Sequence, residues 1–196
     1  MKEQPFKWLA MYVKKNSAKE KNKTIAKRMN IMAKLCKGKV IEFGCGRGLL
    51  AKKVHDLGLE ITGVDICGKK IDEAKNNFPD IKFTKANVLE LNFSLNSFDT
   101  VLLPEILEHI AEDAGDKILN MAWNILKPGG RMIVSVPNNQ CIPSLNHIRL
   151  FTKDSLSTLL ECFGKPKLVT AQPYKWLMMY VDKPLGNYSF RLSKSP

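Results

Sequence analysis

An α/β fold, a doubly wound sheet with helices on both faces, is predicted by three observations along this chain. Short apolar runs starting at Val40, Ile61, Ile81, Phe98 and Arg131 alternate with segments of helical period. The first run, Val40–Phe43, feeds three alternating glycines, Gly44, Gly46 and Gly48, and then the periodic stretch LLAKKVHDLG. The second run, Ile61–Asp65, stops on an acid. A strand, tight turn and helix start of this kind lets a ligand approach the backbone where no Cβ intrudes, and aims free N–H groups at it.

The elements follow in order. Ile25, Met29, Met32 and Leu35 lie at helical spacing among lysines, which predicts an amphipathic helix over 24–35, packed on the core just before the first strand. Residues 69–77 read as a helix ended by Asn77-Phe78-Pro79, and 81–85 as a strand. A fourth strand over 98–103, a helix over 116–126, the turn Pro128-Gly129-Gly130 and a fifth strand over 131–136 come next. Thr152 caps a helix over 152–163, and 167–171 with 176–181 form a closing antiparallel pair. The segment PFKWLAMYVKK at 5–15 recurs as PYKWLMMYVDK at 173–183, with the second copy on the expected last strand. Two copies are too few for a repeat architecture.

At 196 residues the chain fits one domain with a sizeable core. A basic arm and helix over 1–38, a ligand-binding unit over 39–184 and a tail over 185–196 are its expected parts. No apolar run reaches the roughly 18–20 residues that cross a bilayer, and the basic start lacks a signal-peptide stretch, so a cytoplasmic location is expected. Cys36, Cys45, Cys67, Cys141 and Cys162 show no CxxC spacing and read as reduced, packed thiols. The net charge of +12 is concentrated at one end, because residues 1–39 hold twelve Lys or Arg against two acids. Such an arm draws RNA, an acidic membrane surface or an anionic substrate, or it is simply a solvated helix face.

The glycine spacing is GxGxG, an acid (Glu42) stands two residues before it, and LKPGGRMIVSVPN lies downstream. A pyrophosphate at the turn has little use for that acid, whereas a cofactor with a cationic amino-acid end does. Together with Val64-Asp65 and Phe98-Asp99-Thr100-Val101, these motifs resemble the class I S-adenosylmethionine-dependent methyltransferases, in order over about 40–136. The resemblance implies a Rossmann-like, mostly parallel seven-stranded sheet with an antiparallel last strand, in which the helix before the first strand lids the cofactor. It implies S-adenosylmethionine held by Glu42, Gly44, Cys45, Gly46, Asp65, Ile66, Asn87, Val88 and Leu103, with Asp65 on the ribose hydroxyls. Asn87 stands where the family commonly has an acid for the adenine amino group, and its side-chain oxygen can accept the same bond.

Methyl transfer needs an in-line nucleophile, and a base only when the acceptor must lose a proton. The stretch after the fourth strand, LLPEILEHI, lacks the (Asp/Asn)-Pro-Pro-(Tyr/Phe) run of enzymes acting on exocyclic base amines, and no Pro-Cys nucleophile occurs. A hydroxyl acceptor, or a small-molecule nitrogen or carbon, is favoured. If EILEHI opens a helix, Glu105, Glu108 and His109 stand at i, i+3 and i+4 on one face. With His147 they resemble the Glu-x-x-Glu-His plus His set of ubiquinone-pathway O-methyltransferases and of the enzymes that methylate the terminal 2′-hydroxyl of small RNAs, the short His109–His147 separation favouring the former. That set implies a divalent cation such as Mg, Mn or Zn; the alternatives are His109 as a metal-free general base, or acids that merely favour a helix N-terminus. The chain thus reads as a small-molecule O-methyltransferase, against an RNA methyltransferase steered by the basic arm or a non-catalytic cofactor-binding adaptor.

Overall fold

The computed structural model describes residues 18–138, 146–171 and 176–186. Seven strands form one sheet: β1 Val40–Phe43, β2 Ile61–Asp65, β3 Lys82–Lys85, β4 Phe98–Pro104, β5 Leu126–Pro137, β6 Lys167–Ala171 and β7 Trp176–Asp182, in the order β3-β2-β1-β4-β5-β7-β6. The first five run parallel, and β7 enters antiparallel between β5 and β6. Among the described residues five α-helices flank the sheet: α1 Ala18–Leu35, α2 Leu49–His55, α3 Gly68–Asn77, α4 Glu112–Ile125 and α5 Lys153–Glu161.

A parallel sheet covered on both faces needs strands that are apolar at nearly every position. Successive side chains of one strand then feed opposite cores. On β4, Val101 and Leu103 join Leu119, Trp123, Leu156 and Leu160 on the α4 and α5 face. Leu102 between them joins Met32, Leu50, Val54 and Ile71 on the face of α1, α2 and α3. The second copy of the sequence repeat is accounted for in the same way: Trp176, Leu177, Met178 and Met179 are all buried on β7. The first copy lies outside the described residues.

Three boundaries differ from expectation, the first being that helix α1 already runs from Ala18, six residues before 24. Helix α4 begins at Glu112, a turn earlier than 116, and β5 begins at Leu126, directly off the helix. The Pro-Gly-Gly turn is drawn into the strand because Gly129 donates to the Lys183 carbonyl (2.8 Å) and the Lys183 N–H donates to the Gly130 carbonyl (2.8 Å). The cap on α5 is as read: Thr152 accepts from the Ser155 N–H (3.0 Å), and Ser155 Oγ accepts from the Thr152 N–H (2.9 Å). Cys36, Cys45, Cys67 and Cys162 are free thiols, and Cys141 lies outside the described residues. Burial pushes the Cys36 thiol up to about 12, so it stays protonated. No described helix is long and apolar enough to cross a membrane.

Gly48 ends the glycine turn at φ 76, and a Cβ there would lie 2.6 Å from Phe83 Cζ and 2.9 Å from Cε1. Phe83 is a core ring that cannot swing away. Gly48→Ala therefore combines a left-handed backbone penalty with overpacking, and is expected to cost about 2 kcal/mol. Thermal unfolding should show it as a fall in Tm of roughly 4–8 °C for a chain of this size.

Candidate active site

The chain leaves β1 through the glycine turn, and the turn is fastened from β2. The Cys45 N–H donates to the Val64 carbonyl (3.0 Å). Asp65, almost fully buried, accepts from the Gly46 N–H at Oδ2 (2.8 Å) and from the Cys67 N–H at Oδ1 (2.8 Å). Sequence reasoning gave this carboxylate to a ribose; the fold uses it first as a clamp that holds the turn in shape. Each oxygen keeps a further lone pair. Gly46, at φ 53, faces open space, with nothing within 4 Å of where a Cβ would be.

That open space is part of a cavity of about 280 Å³, close to the lower end of the roughly 300–1,000 Å³ usual for small-molecule sites. Its floor is Glu42, Gly44, Cys45, Gly46 and Arg47; its roof is Arg28, Met29 and Met32 of α1; Lys70, Pro104 and Glu105 close the sides. A larger groove of about 610 Å³ runs between Leu91, Phe93 and α4, but Lys117 is the only charged residue lining it. The smaller cavity has the denser charge, with Arg28, Glu42, Arg47, Lys70 and Glu105 on its lining.

Glu42 is buried, and its Oε2 has no hydrogen-bond partner among the described residues. Burial pushes its carboxyl up to about 8; the nearby Asp65 charge adds to this, and a hydrogen bond from the Ala51 backbone opposes it. An orphaned carboxylate oxygen beside a glycine that leaves the wall open fits the cationic amino end of the implied cofactor. The roof supplies the opposite charge. Arg28, which the sequence reading passed over, projects from α1 into the same cavity. The available signal was that Arg28 is the one arginine among the twelve cations of residues 1–39, placed beside the apolar stripe Ile25, Met29, Met32. A guanidinium suits carboxylate recognition better than a lysine does.

The other residues named from the sequence divide. Ile66 follows the clamp and is 70 % exposed, a large apolar side chain left bare to solvent. Asn87 accepts from the Leu89 N–H (3.2 Å) and donates to Glu90 (3.0 Å), so it caps the short 3-10 turn Val88–Glu90, which leaves its oxygen one lone pair. Val88 is half-buried against the core. Leu103 has its side chain fully buried on the α4 and α5 face, and the two residues after it, Pro104 and Glu105, line the cavity.

The helix expected to open at Glu105 does not form. Glu105 has φ 54, donates its N–H to the Ser135 carbonyl (2.8 Å) as a continuation of the β4–β5 pairing, and is followed by a 3-10 turn, Leu107–His109. The i, i+3, i+4 face is therefore absent. Glu105 turns to α1, where its Oε2 lies 2.6 Å from Arg28 Nη1. The other three converge: ligating atoms of Glu108, His109 and His147 all lie within 4.8 Å of one another, a spacing that can hold a cation. Among the described residues Glu105 is outside that group. Glu108 is buried with neither carboxylate oxygen hydrogen-bonded among the described residues, and burial, reinforced by the Glu105 charge, pushes it up to about 8. His109 is exposed, its Nδ1 lying 2.9 Å from the Asn146 carbonyl. That contact requires Nδ1 to carry a proton, so in the neutral ring Nε2, 3.8 Å from Glu108, is the acceptor. Burial, with the adjacent His109, holds the His147 pKa below the usual range. His55 lines a separate surface pocket with Glu60 and Asp80.

Comparisons with known proteins agree with this layout. A methyltransferase domain family matches residues 41–134. The chain is 28 % identical over 141 residues to a probable S-adenosylmethionine-dependent methyltransferase of Mycolicibacterium smegmatis, covering 68 % of this chain and 54 % of that one. It is 33 % identical over 106 residues to a ubiquinone biosynthesis O-methyltransferase of Paracidovorax citrulli, covering 51 % and 44 %. The chain thus spans about half the length of these curated relatives. In fold it is similar to a solved SAM-dependent methyltransferase from Archaeoglobus fulgidus, with a TM-score of 0.70 at 15 % identity over 83 % of this chain and 94 % of that one. The strand order and the clamped glycine turn agree with the domain match over 41–134, and the chain has the Rossmann-like fold of the S-adenosylmethionine-dependent methyltransferases.

Proposed function

We propose that this chain transfers the methyl group of S-adenosylmethionine to a hydroxyl of a small molecule. The observation that carries the reading is the charge layout of the cavity, where a buried carboxylate with an unpartnered oxygen, Glu42, and a guanidinium, Arg28, line one space beside open Gly46. An amino-acid zwitterion needs that pair of counter-charges. The cofactor supplies a methyl group already activated on a sulfonium. Glu42 would take its ammonium and Arg28 its carboxylate, the spare lone pairs of Asp65 would meet the ribose, and exposed Ile66 would lie against the adenine. The remaining Asn87 lone pair is available to the adenine amino group.

The acceptor half rests on the cluster after β4. His109 Nε2 is oriented by the Asn146 contact to take the proton of a substrate hydroxyl. In the alternative use of the same cluster, Glu108, His109 and His147 would hold a divalent cation, whose chemistry is to lower that hydroxyl's pKa, and Nε2 would then be a ligand in place of the base. The resemblance to an O-methyltransferase supports an oxygen acceptor. The test is calorimetric binding of S-adenosylmethionine, followed by transfer of labelled methyl to a panel of phenols, catechols and amines. Absence of cofactor binding overturns the reading, and transfer to amines alone moves the acceptor.

Cofactor binding should be linked to a proton. Glu42 is mostly protonated below about pH 8 in the free protein, and an incoming ammonium favours the ionised form, so affinity should fall as pH drops below 8. Titrations at pH 6.5 in two buffers of different ionisation enthalpy should show the parent releasing about one proton more than Glu42→Gln. Equal proton release in the two would place the ammonium elsewhere.

A further inference from the structure

We infer that Glu105 competes with the cofactor for Arg28, so that the carboxylate of an incoming cofactor, or of the departing product, exchanges with a carboxylate of the protein itself. The inference rests on the cofactor reading of the cavity. Arg28 and Glu105 stand at its roof and side and meet across it at 2.6 Å. Their side chains are only 12 % and 27 % exposed, so solvent screens the pair weakly. The contact is nonetheless incomplete. Arg28 Nε and Glu105 Oε1 are both buried and both without a partner among the described residues, so a group built for two-point recognition is used there at one point.

Glu105 reaches this position by an unusual backbone. Its φ of 54 is rare for a residue with a Cβ, and the N–H bond to the Ser135 carbonyl holds it there as β4 ends. The carboxylate is thereby held toward α1, away from the Glu108, His109 and His147 group. A second carboxylate brought to the open Nε edge of Arg28 is repelled by Glu105 on Nη1, so cofactor engagement through Arg28 pushes Glu105 back. S-adenosylmethionine and its demethylated product carry the same amino-acid end. Glu105 therefore weakens both, and its return to Arg28 assists product departure. It is a positioning residue, acting through Arg28 and not on the reacting atoms.

The experiment uses the full chain and two ligands. S-adenosylhomocysteine carries the amino-acid end; 5′-methylthioadenosine has the adenosine and thioether without it. Glu105→Gln should tighten S-adenosylhomocysteine roughly tenfold, the scale of one charge-assisted contact freed from competition, and leave 5′-methylthioadenosine within about twofold of the parent. Glu105→Gly, which suits the left-handed backbone and also removes the carboxylate, should show the same gain and guards against a folding defect in the first variant. In an Arg28→Gln background the gain should vanish, because the two residues act as one coupled pair. Unchanged or weaker S-adenosylhomocysteine binding in both Glu105 variants overturns the proposal and makes Glu105 a support for Arg28. A parent that binds neither ligand overturns the cofactor reading instead.

Discussion

Asp65→Ala should abolish measurable cofactor binding and lower the melting temperature as well. The carboxylate accepts two backbone N–H bonds at 2.8 Å in a nearly dry position, and alanine leaves the Gly46 and Cys67 donors without a partner. Hydrogen bonds to a charged group contribute about 1.5–3 kcal/mol each, so the stability loss should be roughly 3 kcal/mol or more. For a chain of this size that corresponds to a fall in Tm of about 6–12 °C. Asp65→Asn separates the two roles. An amide keeps one acceptor oxygen and replaces the other with a donor, so the Cys67 or the Gly46 bond survives while the charge is lost. Scanning calorimetry and a cofactor titration on both variants make the check. A full Tm in Asp65→Ala would show that the clamp contributes nothing to the fold.

His109→Ala should lower the methyl-transfer rate by roughly 100- to 10,000-fold, the range of general-base catalysis, while cofactor affinity stays close to that of the parent. The ring lies on the turn after β4 and does not line the cofactor cavity, which is why binding and rate should separate. The same assay distinguishes the two uses of Nε2. If Glu108, His109 and His147 hold a cation, treatment with EDTA should reduce the rate as far as the substitution does, and one of Mg, Mn or Zn should restore it. His147→Ala should then be equally damaging. Full activity in chelator leaves His109 as the base and Glu108 as its buried neighbour. A His109→Ala variant with parental rate would move the proton transfer to another group.

The sequence by itself determined the α/β class, the order of strands and helices, the glycine turn, the acid that ends β2 and the antiparallel closing pair. Each is a local pattern: period two or 3.6 in apolar residues, glycine at positive φ, and a capping threonine at Thr152 report backbone conformation within a few residues of themselves. What only the tertiary structure decided is the partner of each charge. Asp65 reads as a ligand group, but the return of β2 alongside β1 brings the Gly46 N–H against it. Arg28 reads as one cation in a basic arm until α1 folds over the strand ends and brings it to Glu105, 77 positions further on. Glu105, Glu108 and His109 read as one helical face, and the β4–β5 pairing at Ser135 prevents that helix from starting there, so one acid goes to the cofactor side and the other remains buried beside two histidines. Spacing along a chain fixes which residues share a face only where the backbone is regular. At the ends of parallel strands the backbone turns, and long-range hydrogen bonds decide where each side chain goes.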